Sequence, residues 1–405
     1  MVEINGARLL ADLRRLAEFG KYKTGVDRIA LSPPDVESRH WLKDRLAETG
    51  LQAATDRYGN VLGTWPGVQR AVLVGSHTDT VPRGGWLDGA LGVIYALEIA
   101  RAIREANPGR STGVDVVSFQ DEEGTYLPCL GSKSFCGDMT EADLGKARRT
   151  DGRPLVEALQ EAGFSGEPIQ APGGRYLAFL EAHIEQGPRL VASGAQVGVV
   201  ASFAGIRRMS IQAKGRADHA GTTPMTMRED AAAPLFKFAA WVNEAFRDLG
   251  GPETVWNIGN FIVEPGAANV VPSRAQLTLE FRDSDPAALE RLEAAVAQKL
   301  QSLERDAGIA VEANMTAQIA PSNTDGGLCE TLQRAARASG SEPLTMQSGA
   351  GHDCMFLARI MPAAMIFIPS IGGRSHDIDE NTSDEDIIFG CQVLANAVEE
   401  LTGDA

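Results

Sequence analysis

Apolar positions recur at helical spacing over residues 4–19 and 36–49, which predicts two amphipathic helices, each with one buried side. Short apolar runs at 51–57, 61–65 and 71–75 are expected as strands, and the longer apolar stretch 89–106 as a helix. Gly113–Phe119 (GVDVVSF) and Tyr176–Glu181 read as further strands of the buried type. Strands alternating with helices predict an α/β sandwich around a largely parallel sheet.

The pattern changes from Gly205. A strand (IRRMSIQAKG) precedes a helix (REDAAAPLFKFAAWVNEAFRDLG) and two consecutive strands (TVWNIGNFIV and RAQLTLEFRD). A second helix (PAALERLEAAVAQKLQSLERDAG) and a last strand (IAVEANMTA) complete the series. That order is β-α-β-β-α-β, the ferredoxin-like split unit. After Pro321 the earlier pattern resumes, with the strand AAMIFIP and a final helix over Asp384–Leu401. The expected organisation is therefore an α/β/α catalytic domain in two parts, 1–204 and 319–405, interrupted by a compact α+β domain over 205–318.

A chain of 405 residues is too long for one ordinary core, which agrees with two domains. A net charge of −16 argues against nucleic acid and anionic membrane surfaces as partners, since both require basic patches. The N-terminal MVEINGARLLADLRRLAEFG has no apolar signal core, and the most apolar later run, Met361–Ile371, is too short to span a bilayer. Five cysteines (129, 136, 329, 354 and 391) with no close pair suggest reduced thiols, so a cytoplasmic location is expected.

The informative residues are the histidines, of which there are six. His77 (SHTDT), His183 (EAHIEQG), His352 (GHD) and His376 (GRSHDIDE) sit beside carboxylates or glycine turns at predicted strand ends. His219 (GRADHAGTTP) lies at a strand-to-helix turn of the inserted domain, and His40 falls within a charged helix as a solvated residue. Together with Asp88 and the pair Glu122–Glu123 after GVDVVSFQ, four of these cluster where open α/β sheets place ligands, outside the carboxyl ends of strands. A mixed His and Asp/Glu set without thiolate suits zinc or a similar divalent ion such as manganese.

These motifs resemble a known family. His77, Asp88, Glu122–Glu123, His183 and His376 are similar to the di-zinc set of the aminoacylase and carboxypeptidase superfamily. GSHTDTVPRGGWLDGALGV, EEG, EAHIEQGP, HAGTTPM and GRSHDIDE resemble its hydantoinase/carbamoylase branch, which holds N-carbamoyl-L-amino-acid hydrolases, allantoate amidohydrolases and ureidopropionase-type enzymes. The resemblance implies that Asp88 bridges two Zn²⁺ per subunit, with Mn²⁺, Co²⁺ or Ni²⁺ as substitutes. His77 and His183 would complete one site, and Glu123 and His376 the other. It places Glu122 as general base and leaves His219 outside the ligand set, as a hydrogen-bond donor to the tetrahedral oxyanion. Asp79 is expected to hold the second ring nitrogen of His77.

Asn269 and Arg282 are implied as contacts to the substrate carboxylate, a task that a guanidinium suits. Arg207, Arg208, Gln186 and the glycine turn 349–355, Gly351 included, are further candidates for the substrate pocket. The segment EEGTYLPCLGSKSFCG departs from the arginine-phenylalanine pair usual in this branch, which sets apart the wall Thr125–Cys129. The expected reaction is hydrolysis of an N-carbamoyl-L-amino acid to the amino acid, ammonia and CO₂. Allantoate or ureidoglycolate hydrolysis is the first alternative, and aminoacylase or dipeptidase action the second. The inserted domain is expected to act as a lid and to pair two copies into a homodimer, with His219 serving its own or the neighbouring subunit.

Overall fold

The computed structural model describes residues 2–403 and divides into two compact units. The first comprises residues 2–201, 323–346 and 351–403, and the second residues 202–322 with 347–350. The second unit thus begins and ends a few residues outside the run of predicted elements at 205 and 318 and takes a short later segment with it.

In the first unit a mixed sheet carries the site. Seven of its nine described strands run in the order Gln52–Thr55, Val61–Thr64, Thr112–Phe119, Arg70–His77, Tyr176–Ile184, Ala363–Ile368 and Gly198–Phe203, and the short Ser322–Asn323 and Leu344–Ser348 pair with the last. Arg70–His77 is parallel to both Thr112–Phe119 and Tyr176–Ile184, and Ala363–Ile368 is parallel to Tyr176–Ile184. The flanking pairs, Val61–Thr64 on one side and Gly198–Phe203 on the other, are antiparallel. The central strands are buried almost end to end, as their lack of polar alternation requires.

Ala90–Ala106 is the central helix, buried from Ala90 to Ile103, and it packs into one core with Gly6–Ala17 and Asp384–Thr402. Local chemistry sets several helix starts. Ser32 accepts from the Asp35 amide ahead of Pro33, and Ser383 accepts from the Asp386 amide with three acidic residues in the first turn. A buried charge network ties Gly6–Ala17 to the central helix: Arg8 donates to Glu98 at 2.7 Å, and Arg101 meets Asp12 at 2.5 Å.

The second unit contains, among the described residues, a four-stranded antiparallel sheet in the order Val255–Glu264, Arg274–Asp283, Gly205–Lys214, Val311–Ile319. Helices Ala232–Leu249 and Pro286–Ala307 cover one face, around Leu235, Phe238, Val242, Leu289, Leu292 and Val296. Arg274–Asp283 alternates buried and half-buried positions along its length, the period-two signature of a sheet covered on one face. This strand order with two helices on one face is the ferredoxin-like arrangement read from the sequence.

Candidate metal centre

Parallel strands bring their carboxyl ends to one edge, and the chemistry collects there. His77 is the last residue of Arg70–His77 and pairs in register with Phe119, after which the chain turns into Gln120–Glu123. His183 stands one residue before the end of Tyr176–Ile184, beside Phe367 of the next strand. Asp88 lies in the loop that opens the central helix, and His376 in the loop following Ala363–Ile368.

Two groups of ligand atoms result, each lying within 4.8 Å: His77, Asp88 and His183, all buried, and Asp88, Glu123 and His376, which reach toward the surface. Asp88 belongs to both. One of its oxygens is 3.1 Å from His183 Nε2 and 3.5 Å from His77 Nε2, while the other is 3.4 Å from His376 Nε2. Glu123 stands 3.4 Å from the same His376 nitrogen.

The histidine tautomers follow from their other bonds. His77 Nδ1 lies 3.0 Å from the Asp79 carbonyl and His183 Nδ1 2.9 Å from that of Ile184, so both Nδ1 atoms carry the proton and both Nε2 lone pairs face the centre. His77 Nε2 and Glu123 Oε1 are buried without a hydrogen-bond donor. His183 Nε2 also meets the Gly89 amide at 3.1 Å, but His77 Nε2 in one group and Glu123 Oε1 in the other have no donor, which fits a divalent cation in each.

The approach of Asp88 to His77 depends on Gly89. Its φ of 63° with ψ of −46° is open only to glycine, and a Cβ there would lie 2.3 Å from His77 Nε2.

Charge and burial compete throughout the cluster. Burial would lower the His77 pKa, but Glu122 and Asp88 raise it well above the usual value. Burial opposes ionisation of Asp88 as well, yet His183 and the other imidazoles hold its pKa well below the usual range. Contact with Asp88 lifts His376 to about 9. Burial and the Asp88 charge push Glu123 to about 7. Glu122 is pushed well up, by burial first, with His77 opposing. Its Oε2 stands 3.7 Å from His77 Nε2, beside the first group and outside both.

The chain matches the model of peptidase family M20/M25/M40 over residues 73–400. It belongs to that family. The N-carbamoyl-L-amino-acid amidohydrolase of Paenarthrobacter aurescens is 31% identical over 402 residues, covering 97% of each chain. The allantoate amidohydrolase of Escherichia coli (strain K12) is 33% identical over 390 residues, covering 94% of each. A solved amidase of the hydantoinase/carbamoylase family from Burkholderia phymatum superposes with a TM-score of 0.91 at 42% identity, over 100% of this chain and 99% of that one. The M20 family is metal-dependent, and the two ligand groups described above are where this member offers sites. Among the described residues no helix is long and apolar enough to cross a membrane.

The remaining residues singled out in the sequence fall into distinct surroundings. Asp79 reaches the His77 ring through its backbone carbonyl; its carboxylate is 3.8 Å from Nδ1. The tight turn after the strand directs that carboxylate to the amides of Glu122 and Glu123, at 3.4 and 3.3 Å, so it shapes the Glu122–Glu123 turn instead of holding the imidazole. Gln186 donates to Asp88 at 2.7 Å. Gly351 is exposed, whereas His352 is buried with its ring 4.7 Å from that of His183.

In the second unit, His219 and Asn269 are exposed neighbours, linked where the Ala220 amide donates to the Asn269 carbonyl. His219 Nδ1 accepts from the Gly221 amide at 3.1 Å, which leaves the proton on the outward nitrogen. Arg282 and Arg208 flank Glu280 on adjacent strands, at 2.7 and 2.6 Å. Burial would raise the Glu280 pKa, but the guanidinium of Arg282, then that of Arg208, holds it below the usual value.

Arg207 points to the other side of its strand. It is buried against Glu293 at 3.1 Å and the Ile319 carbonyl at 3.1 Å, contacts that hold its guanidinium within the second unit. Neighbouring strand residues face opposite ways, and that rule alone separates Arg207 from Arg208.

Two residues near the centre went unassigned in the sequence. Glu380 is buried, accepts from the Leu87 and Asp88 amides at 3.0 Å each, and is pushed to about 7 by burial and by Asp88. Asp353 is wholly buried, neither of its oxygens has a hydrogen-bond partner, and burial with Glu181 pushes it to about 7. The available signal was only that both share motifs with histidines, GRSHDIDE and GHD.

Proposed function

We propose that this M20 member is a two-metal amidohydrolase that breaks a ureido C–N bond in a small carboxylate-bearing substrate, an N-carbamoyl-L-amino acid first of all. The observation that carries the reading is Asp88 shared between two ligand groups, with Glu122 beside them and bound into neither. Full-length similarity to amidohydrolases of carbamoyl amino acids and allantoate supports hydrolysis of a non-peptide C–N bond over peptide cleavage.

In this proposal His77, Asp88 and His183 hold one cation, and Asp88, Glu123 and His376 the other, zinc being the first expectation. A cation pair there would supply polarisation of the ureido carbonyl and acidify an attacking water. Glu122 takes the proton as the water adds to the ureido carbon and returns it to the departing nitrogen. Ammonia leaves, and the remaining carbamate decomposes to CO₂ and the free amino acid. Burial of Glu122 makes its carboxylate a stronger base, which suits it to both transfers.

Within the same proposal Arg282 and Asn269 meet the substrate carboxylate, and His219 offers its outward N–H to the oxyanion. Allantoate is the second reading. It is favoured by Arg208, whose guanidinium lies with that of Arg282 on either side of the Glu280 acceptor and so suits a substrate with a second polar group.

The test is ammonia release from a panel of carbamoyl amino acids, allantoate, ureidoglycolate and acyl-amino acids, with zinc, manganese or cobalt added. Turnover of acyl-amino acids with no ammonia from any ureido substrate would replace this reading with an aminoacylase.

A further inference from the structure

A carboxylate shared by two cations must present one oxygen to each at the same time. The Asp side chain does not enforce this by itself, because its terminal torsion is broad and roughly two-fold. Asp88 therefore needs an external brace, and the imidazoles around it are themselves ligand candidates. Two side chains other than the imidazoles touch it, both at Oδ2: Gln186 donates to it at 2.7 Å, and Ser375 is the second. Ser375 Oγ stands 2.9 Å from Asp88 Oδ2 and 3.0 Å from Glu380 Oε2. The other Glu380 oxygen, Oε1, accepts the amides of Leu87 and Asp88, each at 3.0 Å.

We propose that Glu380 is the positioning residue for Asp88: one of its oxygens fixes the backbone beneath Asp88, and the other, through Ser375, fixes the tip of the Asp88 side chain. The proposal rests on the metal-centre reading above. Two attachment points on opposite sides of the Asp88 torsion define the plane of the carboxylate, and the Gln186 amide holds the same Oδ2 from another side.

Three further observations agree with this role. Glu380 is 2% exposed, and a carboxylate so buried is tolerated only when its acceptors are used. Its partners all lie on the Leu87–Asp88 backbone or on Ser375, whose single hydroxyl proton lies between Glu380 Oε2 and Asp88 Oδ2. Gly85 vacates the space that Glu380 fills, since a Cβ there would lie 2.0 Å from the carboxylate. Glu380 also belongs to the loop that carries His376, so the brace and a ligand candidate of the second group are held by one segment.

The test compares wild type with Glu380→Gln, Glu380→Ala and Ser375→Ala, each stripped of metal by chelation. Zn²⁺ and Mn²⁺ affinities are then measured by calorimetry, and thermal unfolding of the metal-free forms is followed separately. Glu380→Gln should bind both cations nearly as wild type does, because its amide oxygen accepts the same two N–H groups and its nitrogen donates to Ser375. Glu380→Ala should lose on the order of 10–100-fold in affinity, the usual cost of removing an outer partner of a metal ligand.

Ser375→Ala is the safeguard if Glu380→Ala does not fold. It should weaken the cation of the Asp88–Glu123–His376 group while leaving metal-free unfolding unchanged. Wild-type affinity in Ser375→Ala, or equal losses in Glu380→Gln and Glu380→Ala, would overturn the positioning role. Wild-type protein that binds neither ion would instead overturn the metal-centre reading, and that outcome is recognisable before any variant is made.

Discussion

Replacing Gly89 by alanine tests the centre at its tightest point. The new Cβ would stand 2.3 Å from His77 Nε2 and 2.4 Å from its Cδ2 and Cε1. Ordinary contact needs about 3.5 Å, so something must move by roughly 1 Å. The ring has no room to retreat, being 1% exposed with Nδ1 held by the Asp79 carbonyl at 3.0 Å. The displacement therefore falls on the Asp88–Gly89 turn, and it also pulls the Gly89 amide from His183 Nε2, now 3.1 Å away. Backbone strain adds about 1–3 kcal/mol, the cost of holding a residue with a Cβ in a sparsely populated φ/ψ region. A reacting group misplaced by about 1 Å loses roughly 10²-fold in rate. Gly89→Ala should therefore fold with slightly reduced stability, bind less than its full metal complement after dialysis and lose about two orders of magnitude in turnover. Gly67→Ala is the control, because Gly67 has φ of 78° with nothing within 4 Å of its Cβ position. It should show the backbone cost in denaturant unfolding and none of the catalytic loss. Gly89→Ala with wild-type metal content and wild-type turnover would refute the geometry of the centre.

Three other outcomes are expected. Glu122→Gln should retain both cations by elemental analysis while turnover falls by about 10² to 10⁴, the range for a general base, and unchanged turnover would remove Glu122 from the role. Arg282→Ala should cost about 2–5 kcal/mol in kcat/KM for carboxylate substrates and little for the matching amides, with equal losses on both marking Arg282 as structural. Because Glu280 keeps Arg208 as a partner, the fold should tolerate this change. Chelation should lower the unfolding temperature, and restored metal at 100 times its Kd should return about 2.7 kcal/mol, whereas a midpoint independent of metal concentration would contradict binding to the native state.

The parts of the fold legible in the sequence are those with a strong local cause. Helices opened by Ser32 before Pro33–Pro34 and by Asp285 before Pro286 announce themselves through caps and proline, and the one-sided pattern of Arg274–Asp283 announces its sheet. Gly198–Phe203 has no such local cause, because a short apolar run has no period of its own and its pairing with Ala363–Ile368 is a long-range event. The same limit applied at the centre. Histidines and carboxylates at strand ends are visible as residue types, but Glu380 acquires its role only by meeting amides 292 and 293 residues away. Asp79 shows the converse: its spacing from His77 was plain, yet whether the carbonyl or the carboxylate meets the ring is decided by the direction of the turn. Arg207 and Arg208 were separable in advance by strand alternation, a signal present in the sequence that the charge of the pair obscured.

The position of Ala363–Ile368 in the sheet has a consequence for synthesis of the chain. The strand Tyr176–Ile184, which carries His183, lies between Arg70–His77 and Ala363–Ile368. On the ribosome the first neighbour precedes it, but the second emerges only after the whole ferredoxin-like unit has been made. At about 5–20 residues per second that interval is on the order of ten seconds. For that time an apolar strand has an unpaired edge, the feature that invites association with other chains. The nascent polypeptide already contains His77, Asp88 and His183, whereas His376 has yet to appear. A cation captured early by the first three would tie the strand ends together while the edge is open, so metal supply during translation should influence yield as well as activity.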